Sequence, residues 1–144
     1  MLKMKLKYIL IVTLIAFFAP KSFSQMENTK QLCTRYIIPP FVSDGQQYKA
    51  LLNGDEVAEF HATFYGGSTY RISACSGNSD GNLIFSIYDR ERNLLFTNRD
   101  YQNSPYWDFK FNSTIDCIIE AQLDLKDNKS GFAILLIGFK QEKK

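Results

Sequence analysis

From about residue 45 to the C-terminal end, apolar and polar positions alternate in short runs, and the dominant period is two. That is the pattern of half-buried strands, because successive side chains of a strand point to opposite faces. VAEFHATFY sets Ala58, Phe60, Ala62 and Phe64 on one face and Glu59, His61, Thr63 and Tyr65 on the other. TYRISAC does the same with Tyr70, Ile72 and Ala74 against Thr69, Arg71, Ser73 and Cys75. The short link Gly66, Gly67, Ser68 between these runs predicts an antiparallel hairpin, with Phe64 opposite Tyr70, Ala62 opposite Ile72 and Phe60 opposite Ala74. LIFSIYD and LLFTN, joined through the turn DRERN, predict a second hairpin. GFAILLIGF is apolar on both faces, which predicts a central strand covered on each side. With YKALL, the stretch Trp107–Phe111, IDCIIEAQL and an extended piece around Pro39 and Pro40, the chain reads as about eight strands at sandwich-like spacing. The expected fold is all-β, a single jelly-roll-like β-sandwich.

The N-terminal end has a different character. Lys3, Lys5 and Lys7 precede an apolar run of 12 residues from Tyr8 to Ala19, followed by Pro20 and small residues at Ser22 and Ser24. This is the layout of a secretory signal peptide over residues 1–24, with the cut before Gln25. The run is shorter than the roughly 20 residues a membrane-spanning helix needs, so no membrane insertion is expected after cleavage. The domain then occupies 25–144, exported to the periplasm or the extracellular space. Four lysines leave with residues 1–24 and no acid does, so the formal charge moves from +2 to −2. A nucleic-acid partner would want a basic stripe, and the expected mature chain has none.

The run EFHATFYGGSTYRISAC, then NLIFSIYDRERNLLF, then STIDCIIEAQL with SGFAILLIGF, resembles the strand order of bacterial pre-peptidase C-terminal domains and related jelly-roll modules. The resemblance covers about Val57 to Phe139, and Glu59-Phe60 stands where that family usually has an Asp-Trp or Asp-Tyr type pair. It implies a non-catalytic module that accompanies exported enzymes and in some cases helps bind substrate or calcium.

Candidate chemistry is sparse. His61 is the only histidine, so a triad would have to be built from Glu59, His61 and Cys75 as orienting acid, base and nucleophile. The plainer reading of those residues is a polar strand face with a cysteine taken up in a disulfide. Cys33, Cys75 and Cys117 allow one bridge and one leftover thiol, in three possible pairings, and there is no C-x-x-C to support redox work. Asn78, Asp80 and Asn82 alternate like the first ligands of a calcium loop, but Gly81 is misplaced and no glutamate stands at the distal position. Turns favour the same residue types for their own reasons. No cofactor is expected, with calcium at this loop the one exception considered.

The stretch NRDYQNSPYWDFKF carries the remaining candidates. Trp107, Phe109 and Phe111 alternate with Asp108 and Lys110, which assigns the tryptophan to the core. Tyr101 and Tyr106, with Asp100 and Asn103, are left as a loop-borne binding set of rings, amides and an acid. The chain is thus expected to be an exported non-catalytic module that binds a glycan or an envelope protein through its end loops. The competing expectation is a structural or assembly component of a cell-envelope complex.

Overall fold

The computed structural model describes Lys3, residues 21–126 and residues 129–141. The expected apolar export segment, Tyr8–Ala19, lies outside the described residues. Among the described residues, helix α1 (Lys21–Thr34) leads into eight strands: β1 (Val42–Asn53), β2 (Val57–Phe64), β3 (Ser68–Ser76), β4 (Leu83–Tyr88), β5 (Leu94–Thr97), β6 (Tyr106–Lys110), β7 (Ile115–Leu123) and β8 (Ser130–Gln141). They form two four-stranded antiparallel sheets, in the orders β1-β8-β3-β6 and β2-β7-β4-β5. This is the jelly roll that the alternation predicts.

The two sheets bury one face each against the other. Tyr70, Ile72 and Ala74 of β3, Ala133, Leu135 and Ile137 of β8, Phe85 and Ile87 of β4 and Ile119 and Ala121 of β7 form the common core. Phe64 and the partly buried Ala58, Phe60 and Ala62 complete it from β2, as the period of two requires. β8 lies between β1 and β3, and its second apolar face is covered as expected, by α1. Ile134 and Leu136 pack there with Cys75, Cys33, Met26 and Leu32. The side chains of α1 named in this layer all lie beyond Ser24. The helix itself was not signalled in the alternation, and it begins four residues ahead of the expected cut.

Three sequence expectations need correction. β2 and β3 do not form a hairpin: β2 pairs with β7 in one sheet and β3 with β6 and β8 in the other. The Gly66-Gly67 link is a corner that crosses between sheets. A Cβ on Gly66 would come within 2.9 Å of the Asn112 carbonyl oxygen and of Ser113 Cα, so only glycine lets the corner sit against the β6–β7 connection. The segment around Pro39 and Pro40 is a turn with a cis Pro39–Pro40 bond rather than an extended strand, and the eight strands form without it. Finally, the imagined Glu59–His61–Cys75 set is split between sheets. His61 stands opposite Ile118, whereas Cys75 is bonded to Cys33 beneath α1 with a Cα–Cα separation of 5.5 Å. Cys117 is the free, buried cysteine.

The hairpin of β4 and β5 does form, with Ser86 opposite Thr97 and Ile87 opposite Phe96. Its turn folds over the outer face of the second sheet. Glu59 and Glu120 face each other across the β2–β7 ladder, a like-charge pairing that is unfavourable by itself. Arg92 from the turn meets both, at 2.6 Å and 2.9 Å, and resolves it.

Candidate functional site

Four connections meet at one end of the sandwich: those following β1, β3, β5 and β7. Backbone and side-chain hydrogen bonds join them into one rim. The Gly54 N–H donates to the Lys129 carbonyl (2.7 Å) and the Asp124 N–H to the Asn82 carbonyl (2.9 Å). Asn103 Nδ2 donates to the Gly81 carbonyl (3.2 Å) and to the Asp124 carboxylate (2.7 Å). On the helix side, the Tyr36 hydroxyl donates to the Asp80 carboxylate, and Arg35 lies 3.8 Å from the same group.

Asn98 anchors this rim from below. It is fully buried, and its amide satisfies three backbone groups. Its Oδ1 accepts from the Phe85 N–H (2.9 Å), while Nδ2 lies 3.0 Å from both the Leu83 and Ser104 carbonyls. A buried backbone group without a partner is costly, so an amide that supplies both donor and acceptor is well suited to this position. Residues Asn98–Tyr101 form a short 3-10 helix, and the chain leaves it through Gln102 (φ 56°) and Asn103 (φ 53°), two successive left-handed residues that are not glycine. Such conformations persist where the surroundings hold them. Here Asn103 is held by its two side-chain bonds. What remains facing solvent is Arg99, Asp100, Tyr101 and Gln102, beside an open cleft of about 530 Å³ whose lining includes Asp55, Ile84 and Lys126.

The sequence-derived binding set is only partly brought together. Tyr101 and Asp100 lie on the rim, and Tyr101 remains 48% exposed with its ring against Trp107 (4.2 Å) and Phe96 (5.5 Å). Tyr106 starts β6 on the opposite face of the first sheet, where it stacks on Tyr36 (4.9 Å) and receives the Arg71 guanidinium over its ring (4.6 Å). Asn103 is committed to the rim's own hydrogen bonds. Trp107, Phe109 and Phe111 pack against the core as their spacing predicts.

Two of the three calcium candidates are engaged within the protein. Asn82 Nδ2 lies 3.1 Å from the Ser76 and Ser79 carbonyls, and Asp80 is engaged by Tyr36 and Arg35. Asn78 is exposed. Among the described residues, no three or more His, Cys, Asp or Glu side chains converge on a point. Asp108 of β6 receives both arms of Arg71 at 2.7 and 2.9 Å.

Catalytic geometry fares no better. His61 Nε2 lies 3.1 Å from the Glu59 carboxylate on an exposed strand face. The hydrogen bond from Arg92 is the largest influence holding that carboxyl below its ordinary value, with His61 adding to it. Burial, aided by Asp116 and Asp89, pushes the Cys117 thiol up to about 11, so it is a poor source of thiolate near neutrality.

Sequence reasoning did not find Asn98, whose role depends on backbone groups of β4 and of the loop at Ser104, nor Arg71, which fastens the segment after α1. The Arg71 guanidinium lies 4.2 Å from the Phe41 ring and donates to the Tyr36 carbonyl (3.2 Å). Only the alternation of Arg71 with Tyr70 and Ile72 hinted that it faces away from the core.

No protein-family model and no curated protein matches the chain. Among solved structures, the fold is similar to that of PliG from Aeromonas hydrophila, a periplasmic lysozyme inhibitor of g-type lysozyme, with a TM-score of 0.50 over 66% of this chain and 85% of that one. The sequences are 11% identical, so this likeness establishes the β-sandwich fold and nothing more specific.

Proposed function

We propose that the chain is an exported, non-catalytic jelly-roll module that recognises a protein partner through the rim of residues 99–102 and the loops fastened to it. The observation that carries this reading is the rim's construction. Exposed Arg99, Asp100, Tyr101 and Gln102 stand on a loop that a buried asparagine and a second amide lock in place. A surface already held in one conformation loses little freedom on binding, which favours affinity. Tyrosine and arginine are also the residues that most often carry binding energy at protein interfaces. The fold's likeness to PliG, whose name describes inhibition of another protein, supports a protein partner over a glycan. The strand-pattern resemblance to pre-peptidase C-terminal modules supports the absence of catalysis.

A glycan platform would want both tyrosines on one surface, and Tyr106 is instead engaged by Tyr36 and Arg71. The assembly-component reading draws its support from β5, an edge strand whose Leu94 and Leu95 are 55% and 47% exposed. A g-type lysozyme is the first partner to test. The full chain is expressed with its own leader, purified, and titrated into that enzyme acting on cell walls, in parallel with tagged capture from the native envelope. Dose-dependent loss of lysis, or a specific co-purifying protein, is expected, and either should be lost in the Arg99→Glu/Tyr101→Ala double variant. Equal inhibition or capture by the double variant would remove the rim from the reading. Capture lost only on substitution of Leu94 and Leu95 would favour assembly through β5.

A further inference from the structure

A second concavity lies at the opposite end of the sandwich, away from the rim. β1 carries an irregularity between Ser43 and Gln47, where its ladder with β8 is interrupted, and Gly45 adopts φ 81°. Beside it lies a cleft of about 610 Å³, lined by residues of β1, β2, β3 and β8. That volume lies within the range of small-ligand pockets, roughly 300–1,000 Å³. We propose that this cleft binds an organic cation, an alkylammonium group held over aromatic rings with Asp44 as its counter-charge.

The walls supply the first half of the argument. The half-buried Tyr48 and Phe139 and the exposed Tyr65 line the cleft, over a floor formed by the buried core rings of Phe64 and Tyr70. They are braced against each other and the core: Phe64 and Tyr70 have centroids 5.0 Å apart, Tyr70 and Phe139 6.4 Å, and Tyr48 lies 5.3 Å from Phe60. Ring faces are the negative ends of aromatic quadrupoles, and they attract cations.

Polar groups supply the second half. The Tyr48 hydroxyl donates within the protein, with Gln46 Oε1 and the His61 carbonyl (3.4 Å) as its acceptors. The Tyr70 oxygen accepts the Tyr65 N–H at 3.0 Å. Among the described residues of the lining, Asp44 is the one carboxylate and none is a lysine or arginine. Asp44 Oδ1 accepts from the Gln46 N–H (2.8 Å), which fixes the side chain within the bulge without neutralising it. Asp44 stands exposed on the bulge, and partial desolvation there raises its carboxyl above the ordinary range against the lowering effect of its backbone hydrogen bonds. An anionic ligand would meet Asp44 with no lysine or arginine among the described lining residues to offset it. A neutral apolar ligand would satisfy the rings and leave the carboxylate unused. A cation of compact shape uses both.

The test compares choline with 3,3-dimethylbutan-1-ol, which has the same shape with carbon in place of the charged nitrogen. Calorimetric titration of the full purified protein is expected to show saturable choline binding, with the neutral alcohol weaker by about tenfold or more, the scale of one charge-assisted contact. In proton NMR, ring resonances of Tyr48, Tyr70 and Phe139 should shift together along the titration. Asp44→Asn preserves the Oδ1 acceptor for Gln46 and removes the charge, so it should fold normally and lose the preference for choline. Arg99→Glu/Tyr101→Ala should leave choline binding unchanged, which separates this site from the rim. Absence of saturable binding at millimolar choline, equal binding of the two compounds, or an unaltered preference in Asp44→Asn would each overturn the proposal.

Discussion

Asn103 Nδ2 donates to the Asp124 carboxylate at 2.7 Å and lies 3.2 Å from the Gly81 carbonyl, so a single side chain fastens three loops of the rim. Its backbone is left-handed at φ 53°, a conformation asparagine tolerates better than most residues and glycine better still. Asn103→Gly therefore isolates the side-chain bonds, because it removes them while easing the backbone. The charge-assisted bond to Asp124 is worth roughly 1.5–3 kcal/mol, partly offset by the conformational relief, so a net loss of about 1 kcal/mol is expected. Urea denaturation reads the loss. Hydrogen exchange should show faster opening confined to Gly77–Asn82 and the segment at Asp124, and unchanged exchange there would mean that the loops hold together by other means.

Asn98 poses a harder demand on the fold. Asn98→Ala leaves the Phe85 N–H and the Leu83 carbonyl unpartnered inside the protein, along with the Ser104 carbonyl at its edge. At about 1–3 kcal/mol for each unsatisfied buried group, with some relief from entering water, a loss of roughly 3 kcal/mol is expected. Asn98→Asp keeps the acceptor for Phe85 but places a carboxylate against two carbonyls, and should be at least as damaging. A loss below about 1 kcal/mol for Asn98→Ala in chemical denaturation would show that the rim does not depend on this residue.

How far such features can be read from sequence depends on whether their cause is local. The face assignments of β2, β3 and β6 follow from a period of two, because burial on one side acts on each residue separately. The partner of each strand does not. Gly66-Gly67-Ser68 suits a hairpin or a sheet-crossing corner equally, and the choice is made by Gly66 against Asn112 and Ser113, a contact between segments far apart in the chain. Helix α1 escaped notice for a related reason: its buried positions include the polar Thr29, which donates to the Gly77 carbonyl (2.9 Å) rather than marking an apolar stripe. Tyr101 and Tyr106 are near neighbours in sequence, yet the turn at Gln102 and Asn103 and the start of β6 place them on different surfaces. Trp107 was legible because its alternation with Asp108 is local. Tyr106 was not, because Arg71 and Tyr36 come from elsewhere.

The Cys33–Cys75 bridge gives a prediction about how α1 is retained. The two cysteines are separated by 42 residues, and closing a loop of that size stabilises the fold by about 4 kcal/mol in the chain-entropy description. Beneath the helix, Ser73 Oγ also donates to the Cys33 carbonyl (2.9 Å), so the bridge is not alone in holding α1. The paired Cys33→Ala/Cys75→Ala variant should lose several kcal/mol and expose α1 to proteolysis while the β-rich circular dichroism persists. Peptide mapping without reductant should recover Cys33 linked to Cys75 and Cys117 unpaired. A map that links Cys117 would contradict the placement of β7.

Cys117 allows a test of burial through pH. It lies on β7 opposite Ala62, 2% exposed, and burial raises its thiol from 9.0 to about 11, with Asp116 and Asp89 adding to the shift. Below about pH 9 both folded and unfolded chains keep the proton, so the group adds no pH dependence there. Between about 9 and 11 the unfolded chain releases it while the folded chain holds it. The unfolded state then binds fewer protons, and stability must fall as pH rises through this window. Other groups titrate in the same range, so the informative quantity is the difference between wild type and Cys117→Ala. That difference should be flat up to about pH 8.5 and should then move against the wild type as pH climbs. Thiol titration offers an independent check: no reaction in the native protein at pH 8, and one equivalent once it is unfolded without reductant. A pH dependence identical in the two proteins, or prompt native reactivity at pH 8, would mean that the thiol is open to water and that the core between β2 and β7 is looser than its packing shows.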